Sequence, residues 1–159
     1  MSRLGRDVEG QIEALLEKGL TKAEIQERLK DLDADGEVEF YLKNVPYPED
    51  KRRYMLANVA LFALLLVVTL KKLYFALSFG GISIAMLAAM VVPTVNIWLL
   101  YEIRRFRGIG YKFTAILSTL SLINAENRAW PEVVMIPAII ALSAFLYWKM
   151  FYKKWEQKA

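Results

Sequence analysis

The residues best equipped for chemistry are three aspartates at alternate positions, Asp31, Asp33 and Asp35, followed by Gly36 and Glu37. Carboxylates two residues apart on a tight turn bring several hard oxygens to one point, which is the donor set calcium selects. Glu37 would add its backbone carbonyl. The remaining stock of catalytic groups is thin. The chain of 159 residues has no cysteine and no histidine. That removes thiol redox chemistry, Cys/His zinc sites, histidine-ligated haem and the Ser-His and Cys-His nucleophile pairs. Clustered carboxylates occur only in this acidic turn, so no enzyme is expected.

The stretch DLDADGEVEFYL, residues 31–42, resembles a calcium-binding EF-hand loop. The three aspartates fill loop positions one, three and five, Gly36 supplies the sharp turn, and Val38 fits the apolar eighth position. The pattern departs at position twelve, where Leu42 stands in place of a bidentate glutamate. Pro46 and Pro48 also crowd out an outgoing helix, and EF-hands commonly work in pairs. The competing reading is a plain acidic turn. Asp35-Gly36 would reverse the chain, and Val38, Phe40 and Leu42 would line one face of a short strand. Calcium is therefore a weak candidate ligand, and no other cofactor is implied.

Two elements precede this turn. Leu4, Val8, Ile12, Leu15 and Leu16 recur at helical spacing, which predicts an amphipathic helix over residues 4–18 with Gly19 as its stop. Thr21-Lys22-Ala23-Glu24 is a capping box opening a second helix, with Ile25, Leu29 and Leu32 on its apolar side. The stretch IEALLEKGLTKAEIQERL resembles the short helical SHOCT domains of bacterial membrane proteins and the first two helices of a helix-turn-helix domain. The resemblance covers fewer than twenty residues. No basic recognition helix follows, so nucleic acid is not an expected partner. A hairpin this small buries too little apolar surface to stand alone. It must pack on its own chain, on a copy or on a partner.

Charge divides the chain. Residues 1–53 hold ten Lys+Arg and thirteen Asp+Glu, whereas the rest holds eleven basic and four acidic residues with no aspartate. The mean hydropathy of +0.27 thus averages a polar head with a very apolar body. Residues 54–70 are uncharged and fall within the ~17–25 residues that cross a hydrocarbon core. Residues 73–101 are uncharged too and longer than one crossing needs, so Leu73–Phe79 reads as an interfacial lead-in before Gly80-Gly81. Two shorter runs follow, residues 113–125 and 133–148. The third reaches crossing length only if Lys112 snorkels to the interface, and the last opens at Pro131. These two runs would otherwise form a re-entrant hairpin.

The fold class expected is all-α: a polytopic membrane protein with four transmembrane helices and a small N-terminal cytoplasmic helical hairpin. Its parts are residues 1–44 as hairpin plus acidic turn, 45–53 as a stiff Pro-containing linker, 54–150 as the transmembrane domain, and 151–159 as a basic tail. Twelve basic residues fall on one side of the proposed spans. Only Lys71, Lys72 and Arg128 fall on the other, with Lys71-Lys72 discordant. The positive-inside rule then places both termini in the cytoplasm of a plasma (inner) membrane. A cleavable signal peptide is not expected, because the first apolar run starts late and reads as a signal anchor.

Within the spans no charge is expected at mid-depth, which argues against a proton-coupled pump. Glu102 reads as an ion-pair partner of Arg104 and Arg105. Gly81, Ala85 and Ala89 form a small-residue series suited to close helix approach. Pro93 should kink the second span, with Thr94 or Asn96 answering freed backbone groups. Thr114, Ser118 and Ser121 share one face of the third run, lining either a narrow pore or a helix interface. Arg104, Arg105, Arg107 and Lys112 would hold anionic lipid headgroups. The leading expectation is a non-enzymatic, self-associating membrane protein of the pore or scaffold type. The alternatives are an accessory subunit of a larger membrane complex and a calcium-responsive membrane protein. The lipid bilayer is the common partner, together with a homo-oligomer or a membrane-complex partner.

Overall fold

A computed structural model describes residues 3–30, 36–79, 83–124, 127 and 129–152. Asp31, Leu32, Asp33, Asp35, Gly80, Gly81, Ala125, Arg128 and the tail from residue 153 lie outside the described residues. All regular structure among the described residues is helical. The helices are α1 (Arg3–Glu17), α2 (Lys22–Arg28), α3 (Glu37–Asn44), α4 (Pro48–Arg53), α5 (Met55–Leu77), α6 (Ile84–Arg104), α7 (Gly108–Ser121) and α8 (Glu132–Tyr147). A π-helical turn, Trp148–Tyr152, continues α8.

The head follows the predicted local signals up to residue 30. Gly19 adopts φ 85°, and the Gly19 and Leu20 amides donate to the Leu16 and Leu15 carbonyls. This pair of bonds is the Schellman closure of a helix, and it places the left-handed residue where only glycine is comfortable. The Thr21–Glu24 capping box forms in full. Beyond Gly36 the expected strand is absent: Glu37–Asn44 is α3. Val38, Tyr41, Leu42 and Val45 recur at helical spacing and are buried with Val8, Ile12, Leu16, Ile25 and Leu29, whereas Phe40 points outward at 49% exposure. A lone strand would have had no ladder to satisfy its backbone, and a helix satisfies its own. The head is therefore a three-helix unit with one apolar core. The stiff linker is also partly helical, with Pro48 seated in the first turn of α4, where its missing N–H is harmless.

α5 to α8 pack on one another around Leu61, Leu65, Leu99, Ile103, Tyr111, Ile139 and Leu146. The start of α5, the end of α6, the start of α7 and the π-turn after α8 meet at the end of the bundle nearest the head. Three helices are long and apolar enough to cross a membrane: Met55–Leu77, Ile84–Arg104 and Glu132–Tyr152. α7, with 14 residues, rises only about 21 Å and falls short of a ~30 Å core. The protein buries just 28%, 17% and 28% of the three apolar segments. Leu56, Ile84, Leu87 and Val91 are among the large side chains left outward. A water-soluble domain rarely leaves contiguous apolar surface on this scale, whereas lipid solvates it.

Candidate functional site

The head meets the bundle through a buried charge cluster. Glu9 on α1 accepts from Arg107 Nε at 2.8 Å, and its second oxygen pairs with Arg107 Nη2. Arg107 Nη1 reaches Glu102 Oε2 at 3.2 Å, and Arg105 Nη2 reaches Glu9 Oε2 at 3.1 Å. Glu9, Glu102 and Arg107 are all buried, whereas Arg105 is half-buried and also donates to the Tyr101 hydroxyl at 3.0 Å. Burial opposes the Arg107 charge. Its hydrogen bond to Glu9 and the charges of Glu102 and Glu9 outweigh that, so its pKa is raised above the ordinary arginine value. A fork held between two carboxylates fixes both position and angle, which a lysine ammonium would not. Lys51 adds a second tie from α4 to Glu13 of α1 at 2.8 Å. A cavity of about 150 Å³ lies beside the cluster, lined by Tyr41, Asn44, Trp98 and Ile109 as well as the three buried ions.

The backbone around Arg107 is built for this grip. The Phe106 and Arg107 amides donate to the Ile103 and Glu102 carbonyls, the same Schellman closure found at Gly19. Here the left-handed position, φ 56°, carries phenylalanine. A Cβ in that region costs about 1–2 kcal/mol, offset by packing of the ring on the bundle core. The turn aims Arg105 and Arg107 at one carboxylate. Two glycines then let α7 start in a confined space. A Cβ on Gly110 would stand 2.8 Å from Glu102 Cβ and 3.1 Å from backbone atoms of α6. One on Gly108 would stand 3.1 Å from the Phe151 ring.

Directly beneath, Tyr111 Oη donates to Asn58 Oδ1 at 2.7 Å, and Asn58 Nδ2 donates to the Ile103 carbonyl at 3.2 Å. This buried chain ties α5, α6 and α7 together. Its donors and acceptors would otherwise face a medium without water.

The other end of the bundle is looser. A cavity of about 260 Å³ runs from mid-bundle outward, and Lys72, Asn96, Ser118, Ser121, Asn124 and Asn127 line it among apolar side chains. Lys71 pairs with Glu132 across α5 and α8 while remaining 55% exposed. That pairing gives the discordant Lys71 a counter-charge. Asn127 Nδ2 donates to the Ser121 carbonyl at 2.7 Å, and its buried Oδ1 has no hydrogen-bond partner among the described residues.

The structure redistributes the predicted sites. Glu102 pairs with Arg107, and Arg105 pairs with Glu9; the expected Glu102 pairing with Arg104 and Arg105 does not form. Of the four cations expected at lipid headgroups, Arg104 and Lys112 are exposed and the other two hold Glu9. Thr114 is fully buried inside the bundle, and Ser118 and Ser121 face the cavity. Pro93 leaves α6 continuous, and Thr94 Oγ1 donates to the Met90 carbonyl at 2.8 Å beside it. Ala85 is exposed and Ala89 half-buried. Glu37 begins α3, and Gly36 shows the expected turn at φ 71°. Among the described residues no group of three metal-ligating side chains could hold an ion. Sequence reasoning missed Glu9, Asn58, Tyr111, Asn127 and Glu132. Asn58 was findable as the one amide in the first apolar run; Glu9 looked like any solvent-facing glutamate.

The fold thus defines an all-helical protein with three helices long and apolar enough for a membrane and a helical head clamped to one end of the bundle. No protein-family model, curated protein or solved structure matches the chain.

Proposed function

We propose that this chain is a non-enzymatic, self-associating integral membrane protein of the scaffold type. It crosses an inner membrane four times, with both termini in the cytoplasm and the head fixed on the cytoplasmic end of the bundle. One observation carries the self-association. α6 is the least covered long helix, and it turns small Ala85 and Ala88 outward beside Ile84, Leu87 and Val91. Small residues let a second helix approach closely enough for van der Waals packing in lipid. The hydroxyl face of α7 supports a scaffold over a pore, because it turns into the chain's own bundle. Four crossings are supported by the meeting of α5, α6, α7 and α8 ends beside the head.

Native mass measurement in lipid nanodiscs tests the assembly. A discrete oligomer that Ala85→Trp and Ala88→Trp convert to monomer is the expected result; a wild-type monomer at every concentration overturns it. Topology is read by single cysteines, which the cysteine-free chain makes simple. Gln11→Cys should label only from the cytoplasmic side, and Ser83→Cys only from the opposite side.

A further inference from the structure

The cavity at the end of the bundle remote from the head holds features that neither the head contact nor self-association uses. Leu65, Leu99 and Ile139 line its inner part together with Asn96 and Ser118, and Lys72, Asn124 and Asn127 line its outer part. Residues of α5, α6, α7 and α8 line it, and Val92 of α6 and Leu120 of α7 are also half exposed on the apolar surface. A molecule entering there comes sideways from lipid. The volume of about 260 Å³ sits just under the ~300 Å³ lower edge of ordinary ligand pockets, enough for part of one acyl chain.

The polar part states what the head of that molecule must offer. Asn127 is 3% exposed and its amide N–H is committed to the Ser121 carbonyl. Its Oδ1 is buried and lacks a donor among the described residues. A buried acceptor without a partner is costly, and a donor arriving there is correspondingly favoured. An ammonium would have to be desolvated among the apolar walls at far greater cost than a neutral hydroxyl, so the donor inferred is a hydroxyl. We propose that the cavity binds a single-chain lipid with a hydroxyl-bearing head, of the monoacylglycerol type, its hydroxyl donating to Asn127 Oδ1 and its chain lying along Leu99 and Ile139. The assignment is independent of the scaffold reading, since it concerns a site inside one chain.

The test uses full-length protein in phosphatidylcholine nanodiscs, a lipid without a hydroxyl donor. Native mass spectrometry counts bound 1-monooleoylglycerol against methyl oleate, which has the same chain and no hydroxyl. One monooleoylglycerol per chain is expected, bound roughly tenfold more tightly than methyl oleate, as one buried hydrogen bond warrants. Asn127→Leu should abolish that preference, and Val95→Phe should weaken both probes by filling the cavity. Equal binding of the two probes to wild type overturns the proposal, as does a preference that survives Asn127→Leu, or retention of water alone. The wild-type comparison decides the matter should either variant fail to insert.

Discussion

At the head end of the bundle, Arg107 lies buried between Glu9 and Glu102, and α7 begins on glycines pressed against α6. At the far end, Lys71 reaches a single carboxylate while half in solvent, and Asn127 keeps a buried acceptor bare beside a cavity. Both ends carry charges, amides and small residues, so composition does not separate them. The difference lies in satisfaction and space. Where buried ions hold one another and glycines press helix against helix, the structure has one arrangement. Where a polar group is unmet and space remains, something else can enter. The chain therefore has one end where buried ions tie the head to the bundle and another where a buried acceptor stands unmet beside a larger cavity.

The largest effect expected from breaking this contrast is at Glu9. Glu9→Ala leaves Arg107 buried with one carboxylate, a loss of about 3 kcal/mol, and limited proteolysis should release the head while the bundle stays intact. Replacing the whole cluster, Glu9→Met with Glu102→Met and Arg107→Leu, should recover most of that loss, because apolar groups of similar volume have no charge to strand. Next comes Gly110→Ala. Its Cβ would meet α6 backbone that cannot yield, costing about 1–3 kcal/mol in a detergent thermal melt.

Asn58→Leu strips Tyr111 Oη of its partner and leaves the Ile103 carbonyl with the Phe106 amide alone, at about 1–3 kcal/mol. Adding Tyr111→Phe should lessen the damage, and a double-mutant cycle on the same melt measures the coupling. Thr21→Ala removes the α2 cap for about 1 kcal/mol, visible as faster amide exchange over α2. The smallest effect belongs to the far end. Replacing both partners, Lys71→Met with Glu132→Leu, should cost well under about 1 kcal/mol, since the ammonium is half exposed and no buried carboxylate is left stranded. A loss there as large as that at Glu9 would erase the contrast between the two ends.

Much of the fold was legible because it is set by neighbours in the chain. The capping box at Thr21–Glu24, the Gly19 stop and the apolar spans depend on spacing alone. The segment after Gly36 was misread because 38, 40 and 42 alternate as a strand would, while 38, 41, 42 and 45 repeat as a helix does. Only the cleft between α1 and α2 selects the second pattern. The candidate sites were less legible. Ser118 and Asn96 were singled out as polar residues in apolar runs, yet whether they faced an axis, a neighbour or a cavity was not a local property.

By itself, then, the sequence determined α1, α2, the apolar body and the absence of thiol and imidazole chemistry. These follow from residue type and from contacts within a few positions. Tertiary structure alone decided that Glu9 meets Arg107 across 98 positions of chain, that Phe106 takes a glycine's conformation, and that Asn127 is left with an unmet acceptor. Such outcomes depend on which groups are desolvated together. Desolvation is a property of packed helices, and no local spacing encodes it.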